Sequence, residues 1–158
     1  MVKSFLCAMA WSIVLASSGQ QCTNVLQMLN IPLTTENMSM IVTSDHTTPD
    51  RLFLSFLKSS ARGYLSDFLS LCTDTYLASE FGVIDTNVFS NEDKLDFQQY
   101  LIDCSVTNRT LVSYSCTISG NVADVIARMD VCTVNRSTSE DIKMRFIKTN
   151  DVWKINQW

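Results

Sequence analysis

The sequence predicts an α+β fold, and three observations carry that prediction. The last third of the chain contains two hairpin turns, Gly120-Asn121 and Asn150-Asp151, each flanked by alternating apolar and polar residues. Upstream, between Thr48 and about Leu101, apolar residues recur at helical spacing, with start and stop signals around them. No internal repeat or low-complexity linker divides the two halves, so helices and sheet belong to one domain.

The chain opens with features of an export signal. Lys3 precedes an apolar run from Phe5 to Ala16, broken only by Ser12, and the small residues Ala16, Ser17, Ser18 and Gly19 come next. That pattern predicts a signal peptide over residues 1–19, cleaved after Ser18 or Gly19, and a secreted, extracellular protein. The apolar run is too short to span a bilayer, which takes about 20 residues. Residues 20–48 are polar and rich in Thr, with Pro32 interrupting them. They read as an irregular N-terminal arm, with room for a short helix near Asn24 to Asn30.

The domain proper is expected over residues 49–158. Thr48-Pro49-Asp50 supplies a cap residue, proline at the first helical position and an acid in the first turn. Leu52, Phe53, Phe56 and Leu57 continue the helix until Gly63 stops it. A second helix starts at Ser66 and buries Leu65, Phe68, Leu69 and Cys72. Tyr76 to Ile84 reads as a strand. Ser90 with Asp93 forms a capping box that opens a third helix, with Leu95, Tyr100 and Leu101 among its apolar positions.

The remaining strands can be placed in register. A two-residue loop at Gly120-Asn121 sets Ile118 opposite Ala123, Cys116 opposite Val125, Tyr114 opposite Ala127 and Val112 opposite Met129, which puts both apolar sets on one face. Asp124, Arg128 and Asp130 fall on the other, polar face, where cross-strand charge pairs are expected. A loop at Asn150-Asp151 likewise sets Phe146 opposite Ile155 and Lys148 opposite Trp153, with Met144 and Ile142 continuing the inner face. The chain therefore closes in a four-stranded antiparallel meander, whose apolar face the helices must cover.

Composition narrows the chemistry. A formal charge of −4, with no cluster of Lys or Arg, argues against nucleic acid and anionic membranes as partners. Of six cysteines, Cys7 leaves with the signal peptide. Cys22, Cys72, Cys104, Cys116 and Cys132 remain, enough for two bridges and one odd thiol in an oxidising compartment. Many pairings are open. Cys104 with Cys132 is preferred, because the hairpin register sets Cys132 opposite Arg109, just past the third helix. With no C-x-x-C and one His, neither a metal nor a cofactor is expected. Sequons at Asn37, Asn108 and Asn135 predict N-glycosylation in a eukaryotic secretory pathway.

Two stretches carry a family resemblance. The run Phe56-Leu57-Lys58-Ser59-Ser60-Ala61-Arg62-Gly63-Tyr64-Leu65-Ser66-Asp67-Phe68-Leu69-Ser70-Leu71-Cys72-Thr73-Asp74 resembles the helix–Gly–helix opening and acidic segment of the NTF2-like (nuclear transport factor 2-like, SnoaL-like) superfamily. Asn150-Asp151-Val152-Trp153-Lys154-Ile155 is similar to its closing hairpin. The resemblance spans about Pro49 to Trp158. It implies a cone in which three N-terminal helices pack on a curved, mainly antiparallel sheet. Secretion, cysteines and sequons together resemble the extracellular members found in animals such as nematodes.

Functions within that superfamily are diverse, so the resemblance yields only candidates. In its ketosteroid-isomerase members a carboxylate base lies early in the first strand, a position that falls here at Glu80. The oxyanion-donating tyrosine of those members falls near Phe56 and their later acid at Ile142, which leaves the set incomplete. Tyr114, Met129, Met144, Phe146 and Trp153 share the predicted inner face and are candidates to line a cavity for a small apolar ligand; Tyr64 and Tyr76 are further tyrosines near it. Lone His46 lies in the arm. Three readings are open. One is a binding protein without catalysis, holding an apolar ligand or a protein partner, or forming a homodimer through the sheet. Another is a secreted lyase, isomerase or hydrolase using Glu80 or another pocket carboxylate with Tyr114; a more modest third is a structural or assembly domain with no ligand at all.

Overall fold

The computed structural model describes residues 19–35, 37, 44–62, 64–82, 90–104, 108–133 and 136–158. It describes side-chain surroundings for all of these except 19–23, 61–62, 100–104, 108–109, 131–133 and 136. The expected signal peptide lies outside the described residues, apart from Gly19.

Among the described residues five helices precede the strands: α1 (Gly19–Met28), α2 (Pro49–Arg62), α3 (Leu65–Leu71), α4 (Asp74–Phe81) and α5 (Asn91–Cys104). Then come β1 (Asn108–Ser119), β2 (Val122–Thr133), β3 (Arg136–Thr149) and β4 (Val152–Gln157). The strands pair in sequence order as an antiparallel meander, so the fold is α+β.

α2 organises the core. Leu52, Phe53, Leu54, Phe56 and Leu57 are all buried, and so are Ser55, Ser59 and Ser60. The charged Asp50, Arg51 and Lys58 stay half-buried on the remaining side, so the helix buries a broad apolar face with its small serines. The buried hydroxyls are satisfied locally, Ser60 Oγ donating to the Phe56 carbonyl at 2.6 Å and Ser59 Oγ to the same carbonyl at 3.3 Å. One side of α2 lies across the sheet: Phe53 meets Tyr114 of β1 with ring centroids 5.1 Å apart, and Phe56 meets Trp158, just past β4, edge-on at 4.7 Å. Its other side packs on α3 and α5. There Phe68, Phe81 and Phe97 form an aromatic layer with centroid distances of 5.0 to 6.3 Å.

Several sequence expectations hold in detail. Thr48 caps α2, its Oγ1 accepting from the Arg51 amide at 3.2 Å. Ser90 and Asp93 form the expected reciprocal cap on α5, with the Asp93 amide donating to Ser90 Oγ at 3.0 Å and the Ser90 amide to Asp93 Oδ2 at 3.3 Å. The β3–β4 register is the expected one from Phe146–Ile155 to Thr149–Val152. Both turn residues there have positive φ, 52° at Asn150 and 65° at Asp151, the type I′ conformation that matches strand twist.

Four expectations need correction. Tyr76 to Ile84 is not a strand: residues 74–81 form α4, capped by Thr73 Oγ1 accepting from the Tyr76 amide and closed by Gly82 at φ 69°. A run of Tyr, Leu, Ala and Phe fits either element when it is short, and the flanking Thr and Gly are helix-end residues. The fold therefore has five described helices rather than three, and the sheet is the meander itself. The start of the expected arm at residues 20–48 is not irregular: the short helix with room near Asn24 to Asn30 is α1, which begins earlier, at Gly19, and ends at Met28, and Val25 and Leu26, with Leu29 and Ile31 just beyond it, enter the core. Val112 does not face Met129. A β-bulge between Leu111 and Ser113 gives that place to Leu111 and leaves Val112 43 % exposed. The same bulge moves Cys132 opposite Asn108 rather than Arg109. Leu95, one of the apolar positions of α5, is 65 % exposed.

The two sheet edges differ. The free edge of β4 is covered: the Thr73 amide donates to the Ile155 carbonyl at 2.8 Å, and the Trp153 amide donates to the His46 carbonyl at 2.9 Å. Among the described residues no strand pairs with the outer edge of β1.

Candidate functional site

The inner face of the sheet is closed over β2 to β4 and opens at β1. Ala123, Val125, Ala127 and Met129 of β2, Ile142, Met144 and Phe146 of β3, and Trp153 and Ile155 of β4 are all buried. Four of the five candidate cavity-lining residues, Met129, Met144, Phe146 and Trp153, thus belong to one continuous core beneath α2. The fifth, Tyr114, is half-buried. Along β1 exposure rises toward the hairpin tip: Tyr114 and Cys116 are half-buried and Ile118 is 57 % exposed.

At this opening sits a polar cluster. The Tyr114 hydroxyl donates to Asp50 Oδ1 at 2.7 Å, joining β1 to the first turn of α2. Burial raises the Asp50 carboxyl above its ordinary range, and the hydrogen bond from Tyr114 opposes that rise only in part. Burial and then the Asp50 carboxylate push the Tyr114 phenol far up, so it stays a donor. The Cys116 thiol is also raised, by burial and by Asp50. The cluster holds one carboxyl, one phenol and one protonated thiol, with Phe53 against the tyrosine ring. Asp50 is readable in the sequence only as a first-turn acid; its pairing with Tyr114 joins residues sixty-four apart and has no local signal.

A second network ties Pro32, Asn37 and Asp45 to α2. Arg51 bonds Asp45 Oδ2 through Nη1 at 2.7 Å and Asn37 Oδ1 through Nη2 at 2.8 Å. Asn37 Nδ2 in turn donates to the Pro32 carbonyl at 2.8 Å. Burial pushes the Asp45 carboxyl up, but hydrogen bonds from Thr47 and Arg51 together outweigh it and hold it below the usual range. Next to it His46 is half-buried with no hydrogen-bond partner at Nδ1. Burial, then Lys154, depress its pKa against the opposing pull of Asp45 and its backbone bond to Trp153.

Glu80 is corrected outright: it lies on the exposed surface of α4, on neither a strand nor the inner face. Tyr64 is 45 % exposed and Tyr76 is buried. Cys72 and Cys116 are free thiols; Cys72 is buried at the end of α3, and desolvation pushes it up to about 12. The side chains of Cys22, Cys104 and Cys132 lie outside the described ones, and with them the preferred Cys104–Cys132 bridge. Of the sequons, Asn37 is half-buried in the Arg51 network, Asn108 begins β1 with its side chain undescribed, and Asn135 lies outside the described residues. On the outer face of the sheet Arg145 holds Asp124 through two bonds, of 2.7 and 3.2 Å. Arg128 lies 3.5 Å from Asp141, and Ser139 donates to Asp130 at 2.6 Å.

Among the described residues no group of three or more His, Cys, Asp or Glu side chains is placed to hold a metal, and no helix is long and apolar enough to cross a membrane. No known family model matches the chain, and no curated protein matches it significantly.

Proposed function

We propose that this protein is a secreted NTF2-like domain that binds without catalysing, making its contact at the β1 end of the inner face with a small apolar ligand or a protein partner. The observation that supports this reading best is the gradient of exposure along that face: buried from β2 to β4, half-open at Tyr114 and Cys116, and open at Ile118. Apolar side chains that point toward the core side yet remain in water are what a partner would cover. The resemblance of the run from Phe56 to Asp74 and of the closing hairpin supports the superfamily reading, as does the terminal meander; the strand that the superfamily order needs between the expected second and third helices is α4 instead.

An apolar fluorescent probe such as anilinonaphthalene sulfonate tests this reading. Native protein is expected to enhance its fluorescence, and Ile118→Lys to remove most of the enhancement while leaving the melting temperature within a few degrees. A native protein that neither binds such probes nor associates with any partner would refute it.

A second reading has one observation in its favour. Asp50 is a carboxyl raised by burial, with a phenol 2.7 Å away, and such a pair suits proton transfer. It replaces Glu80 as the carboxylate of an enzymatic alternative. Beside it the cluster offers the Cys116 thiol, a weak donor, to hold a developing negative charge, and that contribution is commonly the largest in such reactions. Binding is the better supported function.

A further inference from the structure

We propose that the partner at the β1 end is a second copy of this chain, joined edge to edge through residues 113–119 about a two-fold axis at Cys116, with a Cys116–Cys116 disulfide able to lock the pair. This rests on the binding reading and gives its partner an identity.

The backbone of the hairpin sets the geometry. β1 and β2 are joined by the two-residue loop Gly120-Asn121, with Ser119 opposite Val122. In such a hairpin the closing pair is hydrogen-bonded, and bonded and unbonded pairs then alternate. Ser119, Thr117, Ser115 and Ser113 therefore aim their amides and carbonyls at β2. Ile118, Cys116 and Tyr114 aim theirs at the free edge. The bulge at Val112 ends the regular ladder on one side and the hairpin turn ends it on the other. What remains is a straight segment, residues 113–119, whose middle residue is Cys116.

Self-pairing about that middle residue is complementary at each position. Cys116 meets its own copy, and Tyr114 meets Ile118 in both directions. Each of these pairs exchanges both main-chain bonds, so about six form in all. An aromatic ring opposite a β-branched side chain is a favourable cross-strand pair, and it covers Ile118, otherwise 57 % exposed. On the other face Ser115 meets Thr117 and Ser113 meets Ser119, which are small and polar.

Charge supports the same occupant. No residue from 113 to 119 carries a charge, whereas the outer face of β2 and β3 carries Asp124, Arg128, Asp141 and Arg145. Two copies of the strip meet without like-charge repulsion. Native edge strands are commonly guarded by Lys, Pro or a covering element. β4 is covered; β1 has α1 packed against part of it, but among the described residues no strand pairs with its outer edge, and residues 113–119 include neither Lys nor Pro.

The thiol fits the same axis. Directly opposed residues in a bonded antiparallel pair have Cα atoms about 5.5 Å apart, within the range a disulfide spans. Cys116 is free and partly accessible, whereas Cys72, the other free thiol among the described residues, is buried. An odd number of cysteines in the expected mature chain, five, leaves at least one without an internal partner, and of the two free ones among the described residues only Cys116 is accessible. In the locking step two thiols lose two protons and two electrons and form one S–S bond. Glutathione disulfide takes up those electrons and becomes two molecules of glutathione. Burial and the Asp50 carboxylate keep the Cys116 thiol protonated at neutral pH, so the exchange is slow there and faster in mild alkali.

The test uses the full chain purified from eukaryotic cells, from medium or cytosol alike, so that it does not depend on export. Light scattering on reduced protein at micromolar concentration should give a dimer. Incubation with glutathione disulfide at about pH 8.5 should give a covalent dimer two protons lighter than twice the monomer, with a peptide linking Cys116 to Cys116. Cys116→Ser should abolish the covalent species and keep the reversible dimer. Thr117→Lys, on the exposed face beside the axis, should weaken dimerisation at least tenfold without changing the circular dichroism melt. A monomer under all conditions, a dimer indifferent to both substitutions, or a bridge through another cysteine would overturn the proposal. Failure of the binding reading shows separately: a dimer whose monomeric Thr117→Lys variant still shows no affinity for apolar probes through Ile118. A signal segment retained on the mature chain would count only against export.

Discussion

Tyr114 and His46 are the residues whose surroundings make the sharpest predictions. Tyr114 donates its hydroxyl hydrogen bond to a half-buried carboxylate, and removing the donor leaves Asp50 desolvated and unpaired. Tyr114→Phe is expected to cost about 1–3 kcal/mol, the usual penalty for orphaning a buried polar group, read as a lower urea midpoint at unchanged slope. His46 predicts a pH response. Its folded pKa lies below the ordinary value of 6.5 because burial and Lys154 disfavour the imidazolium, so the folded state binds the proton less well than the unfolded state. The stability this gives is complete above about pH 6.5 and drains away as pH falls through that value toward the folded pKa. Protonation would also place an N–H at Nδ1, a buried atom that has no hydrogen-bond partner. Proton NMR of this lone histidine should give a midpoint below 6.5, and His46→Gln should flatten the stability profile between about pH 7 and 5. A midpoint above the ordinary value would contradict the assigned surroundings.

At the scale of elements, the cap on α5 and the bulge on β1 can each be tested by one change. Ser90→Ala removes an acceptor for the Asp93 amide and should cost about 1 kcal/mol. The bulge leads to a less familiar expectation. Leu111 pairs with Met129 and Ser113 with Arg128, so Val112 has no partner in the ladder. Deleting Val112 should leave a regular strand with every inward residue still inward, and the protein should fold with a thermal midpoint within a few degrees of the parent. A collapse of stability would show that the bulge itself is needed.

The same scale shows where the sequence is legible. The β3–β4 hairpin can be read in full, because turn chemistry and apolar alternation each fix the register and agree. β1 can be read only from Ser113 onward, since an extra residue leaves no mark when Leu111 and Val112 are adjacent and equally apolar. α4 reads as a strand because eight residues of mixed apolar character suit strand and helix alike, and its caps lie at positions that also suit a loop. α1 reads as part of an arm because polar residues dominate its composition while Val25, Leu26 and Leu29 carry the burial. The Asp50–Tyr114 contact cannot be read at all, since it depends on how α2 crosses β1.

At the scale of the whole molecule, the described residues form a filled core with one covered sheet edge and one open edge. The central helix spans the inner face from Tyr114 to Trp158, which leaves the hairpin tip of β1 as the part of that face still in water. Binding at that end predicts that substitutions at Ile118 change association while those on the Arg145–Asp124 face do not.

Native mass spectrometry of the protein expressed in eukaryotic cells, recorded before and after mild denaturation, is the direct test. The predicted result is a species heavier than one chain with any glycans it carries, either a dimer or a chain carrying a small apolar molecule, which Ile118→Lys returns to the mass of a single chain. A wild-type protein that appears only as a single empty chain at every concentration, with glycans explaining its whole mass, would contradict it.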